Sequence, residues 1–171
     1  DDGDEARMLD WEMLTRILPH VRHTIAIRLF SNRNNAEMEE IQGLARAIHG
    51  HPMISAFMFP FGITFASLGP LCSALVTLPS LESVVFGLQD PETEDQRVPE
   101  TSLEPFKELL RAPTLRVVEF YDFYFTNELC HATANVLEEG SSITNITFGV
   151  VCSFPDRGRA IIANALKTNV T

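Results

Sequence analysis

The side chains best suited to chemistry in this chain are its histidines and cysteines, and their spacing assembles no reaction centre. His20 and His23 bracket one short stretch, His49 and His51 bracket another, and His131 directly follows Cys130. The pair His49-Gly-His51 could share a metal ion, but a zinc site wants three or four ligands, and no carboxylate or cysteine stands at a spacing that completes the set. Single surface imidazoles account for the five histidines. Cys72, Cys130 and Cys152 are odd in number and far apart, as expected of free thiols that pack as small hydrophobes in a reducing compartment. No nucleophile stands beside a base, no two carboxylates share a face, and no glycine-rich phosphate loop occurs. The expectation is a protein with no catalytic residue, no metal and no cofactor, which is not an enzyme.

What the residue types do offer is a recognition surface. Arg28, Met58, Val85, Glu119 and Thr147 stand at one offset within a phrase that returns five times. Its members are Thr24/Ile27/Leu29, Ile54/Phe57/Phe59, Leu81/Val84/Phe86, Leu115/Val118/Phe120 and Ile143/Ile146/Phe148. The last two positions of each phrase are two residues apart, the side-chain period of a strand with one buried face. Arg28, Met58, Val85, Glu119 and Thr147 would then line one row on the other, open face, with the aromatic Phe30 and Tyr121 in a flanking row. Aromatic and arginine side chains are enriched among the residues that dominate protein interfaces, so these seven are the expected partner-binding residues. Asn145-Ile-Thr147 and Asn169-Val-Thr171 match the glycosylation pattern, which matters only in a secreted chain.

The phrases open at 24, 54, 81, 115 and 143, and the recurrence predicts a stacked architecture in which each unit buries its apolar face against the next. Six residues before each opening stand Leu18, Ile48, Leu75, Leu109 and Leu137, and ten before stand Leu14, Leu44, Leu71, Pro105 and Thr133. An interval of four returns a side chain to one side of a helix, so a helix should precede each strand, ending near 18, 48, 75, 109 and 137. Pro52, Pro79 and Pro113 sit two residues before three of the phrases, where they close a turn without removing a ladder hydrogen bond. Strands joined by helices in this way must run parallel. The expected fold is α/β, with a curved parallel sheet on the concave face of a solenoid and the helices on its convex face. A doubly wound sheet would instead show fully apolar strands and no fixed helix-to-strand register.

The segments Leu81-Glu-Ser-Val-Val-Phe86 and Leu115-Arg-Val-Val-Glu-Phe120 resemble the leucine-rich-repeat strand, and Ala163-Asn-Ala-Leu-Lys-Thr-Asn169 resembles the helix end of its ribonuclease-inhibitor-like subclass. The resemblance implies a protein-binding module. As alternatives it implies a regulator such as a small-GTPase activator, or the sensor part of an immune-type receptor. One departure stands out. The asparagine that the family places eight residues into each repeat is present only as Asn32, with Gly62, Gln89, Phe123 and Val151 at the equivalent places, so those turns are expected to be looser or differently built.

The balance of 13 basic against 23 acidic residues, a formal charge of −10, opposes binding to nucleic acid or anionic lipid and favours a basic protein partner. No apolar run is long enough for a membrane span and no signal peptide is visible, so a cytoplasmic location is expected. Residues 1–10 read as an acidic N-terminal segment and 11–171 as one domain of about five repeats, apparently part of a longer array in which neighbouring repeats would cover its end. The surplus in the longest interval falls in Asp90 to Ser102, read as an acidic loop that ends in a capping box over Thr101–Glu104.

Overall fold

The computed structural model describes residues 16–23, 25–28, 38–88 and 97–168. Thr24, Leu29, Phe30, Asn32, the acidic segment 1–10, Trp11, Leu14 and most of the loop after Leu88 lie outside them. A short 3-10 turn at Leu18–His20 leads into alternating strands and helices: β1 Ile25–Arg28, α1 Met38–Ile48, β2 Ile54–Ile63, α2 Phe65–Val76, β3 Ser83–Leu88, α3 Glu100–Leu110, β4 Val117–Phe123, α4 Asn127–Glu138, β5 Asn145–Phe148 and α5 Gly158–Thr168. The strands form one parallel sheet in the order β1-β2-β3-β4-β5, and each helix packs on the next one along the chain.

The helical stripe inferred from spacing is the buried one. Leu18, Ile48, Leu75, Leu109 and Leu137 are all buried, as are Leu44, Leu71 and Thr133. Along β3 and β4, Val84, Phe86, Val118 and Phe120 are buried while Ser83, Val85, Val117 and Glu119 between them remain half-exposed, so the helices form a layer on one face and leave the other open. Every helical crossover returns the chain to the next parallel strand.

Several local expectations need correction. β3, β4 and β5 begin at Ser83, Val117 and Asn145, two residues later than the apolar phrase. Leu81 and Leu115 still belong to the preceding turn, because their N–H groups donate to Leu78 and Ala112, and the ladder starts only where Glu82 N–H reaches Ser55 O (2.8 Å). The capping box at Thr101–Glu104 does not form: α3 starts at Glu100, with Pro99 in the cap position and no side-chain cap. By contrast Thr64 and Thr126 cap α2 and α4 through Ser67 N–H and Leu129 N–H. Val98, read as part of a solvated loop, is buried in the core.

Gln89 lies outside the described residues, and the turn at Phe123, which also lacks the asparagine, is built differently. Phe123 is buried against Phe120 (4.8 Å between ring centroids), Phe125 (4.5 Å) and Phe86 (5.5 Å), and Phe125 in turn stacks on Phe154 (4.7 Å). Backbone bonds continue past the strands there, from Tyr124 N–H to Leu88 O and from Phe125 N–H to Ser153 O. At the opposite end of the sheet, side chains staple successive turns: Gly50 N–H donates to Thr77 Oγ1, Ser80 Oγ to Pro52 O, and the Arg116 guanidinium to Ser142 O.

His51 also departs from its reading as a surface residue. It is 8 % exposed, Met53 N–H donates to its Nδ1 (3.2 Å), and its Nε2 lies 2.7 Å from Leu18 O. The first contact leaves Nδ1 as acceptor, so Nε2 carries the proton and donates to Leu18. A neutral imidazole thereby ties the 3-10 turn to the start of β2.

Candidate protein-binding face

The ladder registers assemble the open face residue by residue. Arg28 pairs with Met58, Met58 with Val85, Val85 with Glu119 and Glu119 with Thr147, so one row crosses all five strands. A second row runs Ala26, Ala56, Ser83, Val117 and Asn145, with irregular register only between Ile25 and Ala26. Met58, Val85 and Val117 make an apolar, half-exposed centre. Arg28 and Glu119 stand three strands apart, about 14 Å at roughly 4.8 Å per strand, too far to pair with each other. Among the described residues neither makes an ion pair.

The flanking row does not extend as a regular line. Phe30 lies outside the described residues, and β2 carries two extra residues, Pro60 and Phe61, between the paired positions Phe59↔Phe86 and Gly62↔Gly87. β4 carries one extra residue, since Phe86 faces Phe120 while Leu88 faces Phe123. That bulge lets Phe120 and Phe123 both enter the core and turns Tyr121 and Asp122 outward together. Asp122 accommodates it with φ 48°, the left-handed region that a short polar side chain tolerates. Beside Tyr121, which is 47 % exposed, the loop after β5 presents Val150, fully exposed, and Val151 at 59 %. These two valines and Asp122 are not among the binding residues expected from the sequence. The available signal was the run Phe120-Tyr-Asp-Phe123, which breaks the period of two.

Burial is the largest of the effects that disfavour the thiolate at all three cysteines. Burial pushes the Cys72 thiol pKa strongly up, and burial followed by the charge of Glu128 pushes Cys130 up to about 11. Among the described residues no cluster of three or more histidine, cysteine or carboxylate side chains could hold a metal, and no helix is long and apolar enough to cross a membrane.

No family model matches this chain, and no curated protein matches it either. Solved structures do. The chain is similar to the tropomodulin C-terminal domain of Caenorhabditis elegans, with TM-score 0.58, 18% identity and coverage of 94% of this chain and 93% of that one. It is also similar to leiomodin-1 actin-binding site 2, with TM-score 0.61, 10% identity and coverage of 94% and 89%. At these identities the likeness concerns the fold, an α/β arrangement on a parallel sheet. It corrects the expected membership of the leucine-rich-repeat family and its ribonuclease-inhibitor-like subclass, because the matching structures are tropomodulin and leiomodin domains. The physical reason is that an apolar period of two in strands and of four in helices is demanded of every parallel strand–helix array, and so cannot separate one family from another.

Proposed function

We propose that this chain is a non-enzymatic protein-interaction domain that binds a partner protein through the open face of its sheet. The observation that carries the reading is the in-register row Arg28, Met58, Val85, Glu119 and Thr147, an apolar centre between two charges that, among the described residues, form no ion pair, on a face that no described helix covers. In this reading the one-sided array curves into a solenoid with the strands on its concave side, and the protein acts in the cytoplasm. Actin is the first partner to test, because one structural neighbour is leiomodin-1 actin-binding site 2. The alternative roles of GTPase activator and receptor sensor fall with the family resemblance that carried them.

The test is co-sedimentation with filamentous actin and fluorescence titration with monomeric actin, using the unaltered chain and Val85→Lys and Met58→Lys. Binding should weaken about tenfold or more in both variants, as expected for a charge placed in the desolvated centre of an interface, with the circular dichroism spectrum unchanged. Binding that is indifferent to both substitutions would remove the open face from the reading. Absence of binding would remove actin.

A further inference from the structure

We propose that the bulged end of β4 and the loop after β5 form an anchor site for a segment of a partner protein in which an aliphatic or aromatic side chain is flanked by lysine or arginine. The inference rests on the reading that this domain binds proteins, and assigns both the place and the chemistry of the contact.

Three of the six large apolar side chains that stand exposed among the described residues are Tyr121, Val150 and Val151. They are held in place. Gly149 N–H donates to Phe120 O (2.8 Å), Cys152 N–H to Gly149 O (3.1 Å), Ser153 N–H to Phe123 O (3.1 Å), and Cys152 Sγ to Phe120 O (3.2 Å). A Cβ built on Gly149 would lie 3.7 Å from Cδ2 of Tyr121, so the tyrosine ring rests against this glycine and joins the two segments into one surface. Asp122 is the only non-glycine residue with positive φ among the described residues, and it sits where the bulge turns Tyr121 out. Left-handed backbone in a non-glycine residue recurs at ligand-binding sites, where the fold holds it against its cost. Rigid display of apolar groups that contribute nothing to the core is the signature of a binding anchor.

Charge selects the occupant. Glu119 precedes Tyr121 by two residues and Asp122 follows it, and Phe123, the next residue, accepts from Ser153 N–H (3.1 Å), which sets Asp122 beside the loop that carries Val151. Arg159, in the following helix, is turned to the Phe154 ring, 5.7 Å from its centroid. An apolar patch with two carboxylates at its margin, on a chain of net charge −10, attracts a cationic segment and repels a second copy of itself.

The experiment selects binders from a displayed random peptide library on the intact chain, then measures the affinity of the enriched peptides by fluorescence anisotropy at low and high salt. Enriched peptides should pair lysine or arginine with a large apolar residue. Tyr121→Ala should weaken them about tenfold or more and Val151→Ser several-fold. Glu119→Gln with Asp122→Asn, which keeps a residue tolerant of positive φ, should lower affinity and flatten its salt dependence. Neutral or acidic consensus peptides, no binders, or affinity indifferent to Tyr121→Ala would overturn the proposal. So would sedimentation showing a dimer that Tyr121→Ala dissolves, since the patch would then serve a second copy. Val85→Lys separates the two readings: loss there with Tyr121→Ala silent leaves the open face standing and sinks the anchor, and the reverse supports the anchor alone.

Discussion

Replacing Gly69 with alanine sets two effects of known sign against each other. Gly69 lies inside α2, where glycine is about 0.8–1.0 kcal/mol less favourable than alanine, so an isolated helix would gain from the change. The helix is not isolated. A Cβ built at this position would lie 2.6 Å from Thr101 O, 2.9 Å from Ser102 Cα and 2.9 Å from Ser102 Oγ, all at the start of α3. Two of those atoms are backbone, so no side-chain rotation relieves the contact and α2 and α3 must separate by most of an ångström. Inserting a methyl into such packing costs about 1–3 kcal/mol, and backbone contacts this short favour the upper part of that range. The separation also loosens Leu68, Leu71, Phe106 and Leu109, buried along the two helices. The net expectation is a loss of about 1–2 kcal/mol, which for a chain of 171 residues lowers Tm by roughly 2–8 °C. Circular dichroism during thermal and urea unfolding reads it directly. Gly140→Ala is the control, since Gly140 has φ 90° and nothing within 4 Å, so its cost is backbone strain without a clash. An unchanged or raised Tm in Gly69→Ala would show that α2 and α3 do not cross this closely.

Other expectations follow from the same packing. Leu137→Ala should cost about 2–4 kcal/mol and Val118→Ala less, both being buried, and urea unfolding that returns under half a kilocalorie for each would show the register to be wrong. His51→Ala leaves Leu18 O and Met53 N–H without their partner and should cost about 1–3 kcal/mol, with faster amide exchange across 18–28 as the local readout. The raised thiol pKa values of Cys72 and Cys130 mean that the folded state favours the neutral form, so their contribution is complete below the unfolded thiol pKa and is lost as pH rises through about 11 for Cys130. A thiol reagent at mildly alkaline pH should therefore modify half-buried Cys152 first and fully buried Cys72 last. β5 is an edge strand of the described sheet and Ile143, Ile146 and Phe148 are only half-buried, so its amides should exchange faster than those of 84–86 in a monomeric sample; equal protection would show a covered edge.

Recurrent spacing along the chain was enough to place five parallel strands and the helix before four of them, because the buried face of each element is written as a period in its own residues. It was enough, too, to align Arg28, Met58, Val85, Glu119 and Thr147, since parallel strands of one register put equal offsets side by side. Three things were decided only by tertiary packing. His51 became a buried tether because a carbonyl 33 positions away came within reach of its ring. The turn at Phe123, one of the places where an asparagine was missing, closed instead through Phe120, Phe123, Phe125 and Phe154, whose contacts join separate units and have no local period. The surface of Tyr121, Val150 and Val151 arose from one extra residue in β4, and a bulge is defined only against the strand it faces, so no reading of β4 alone could have located it.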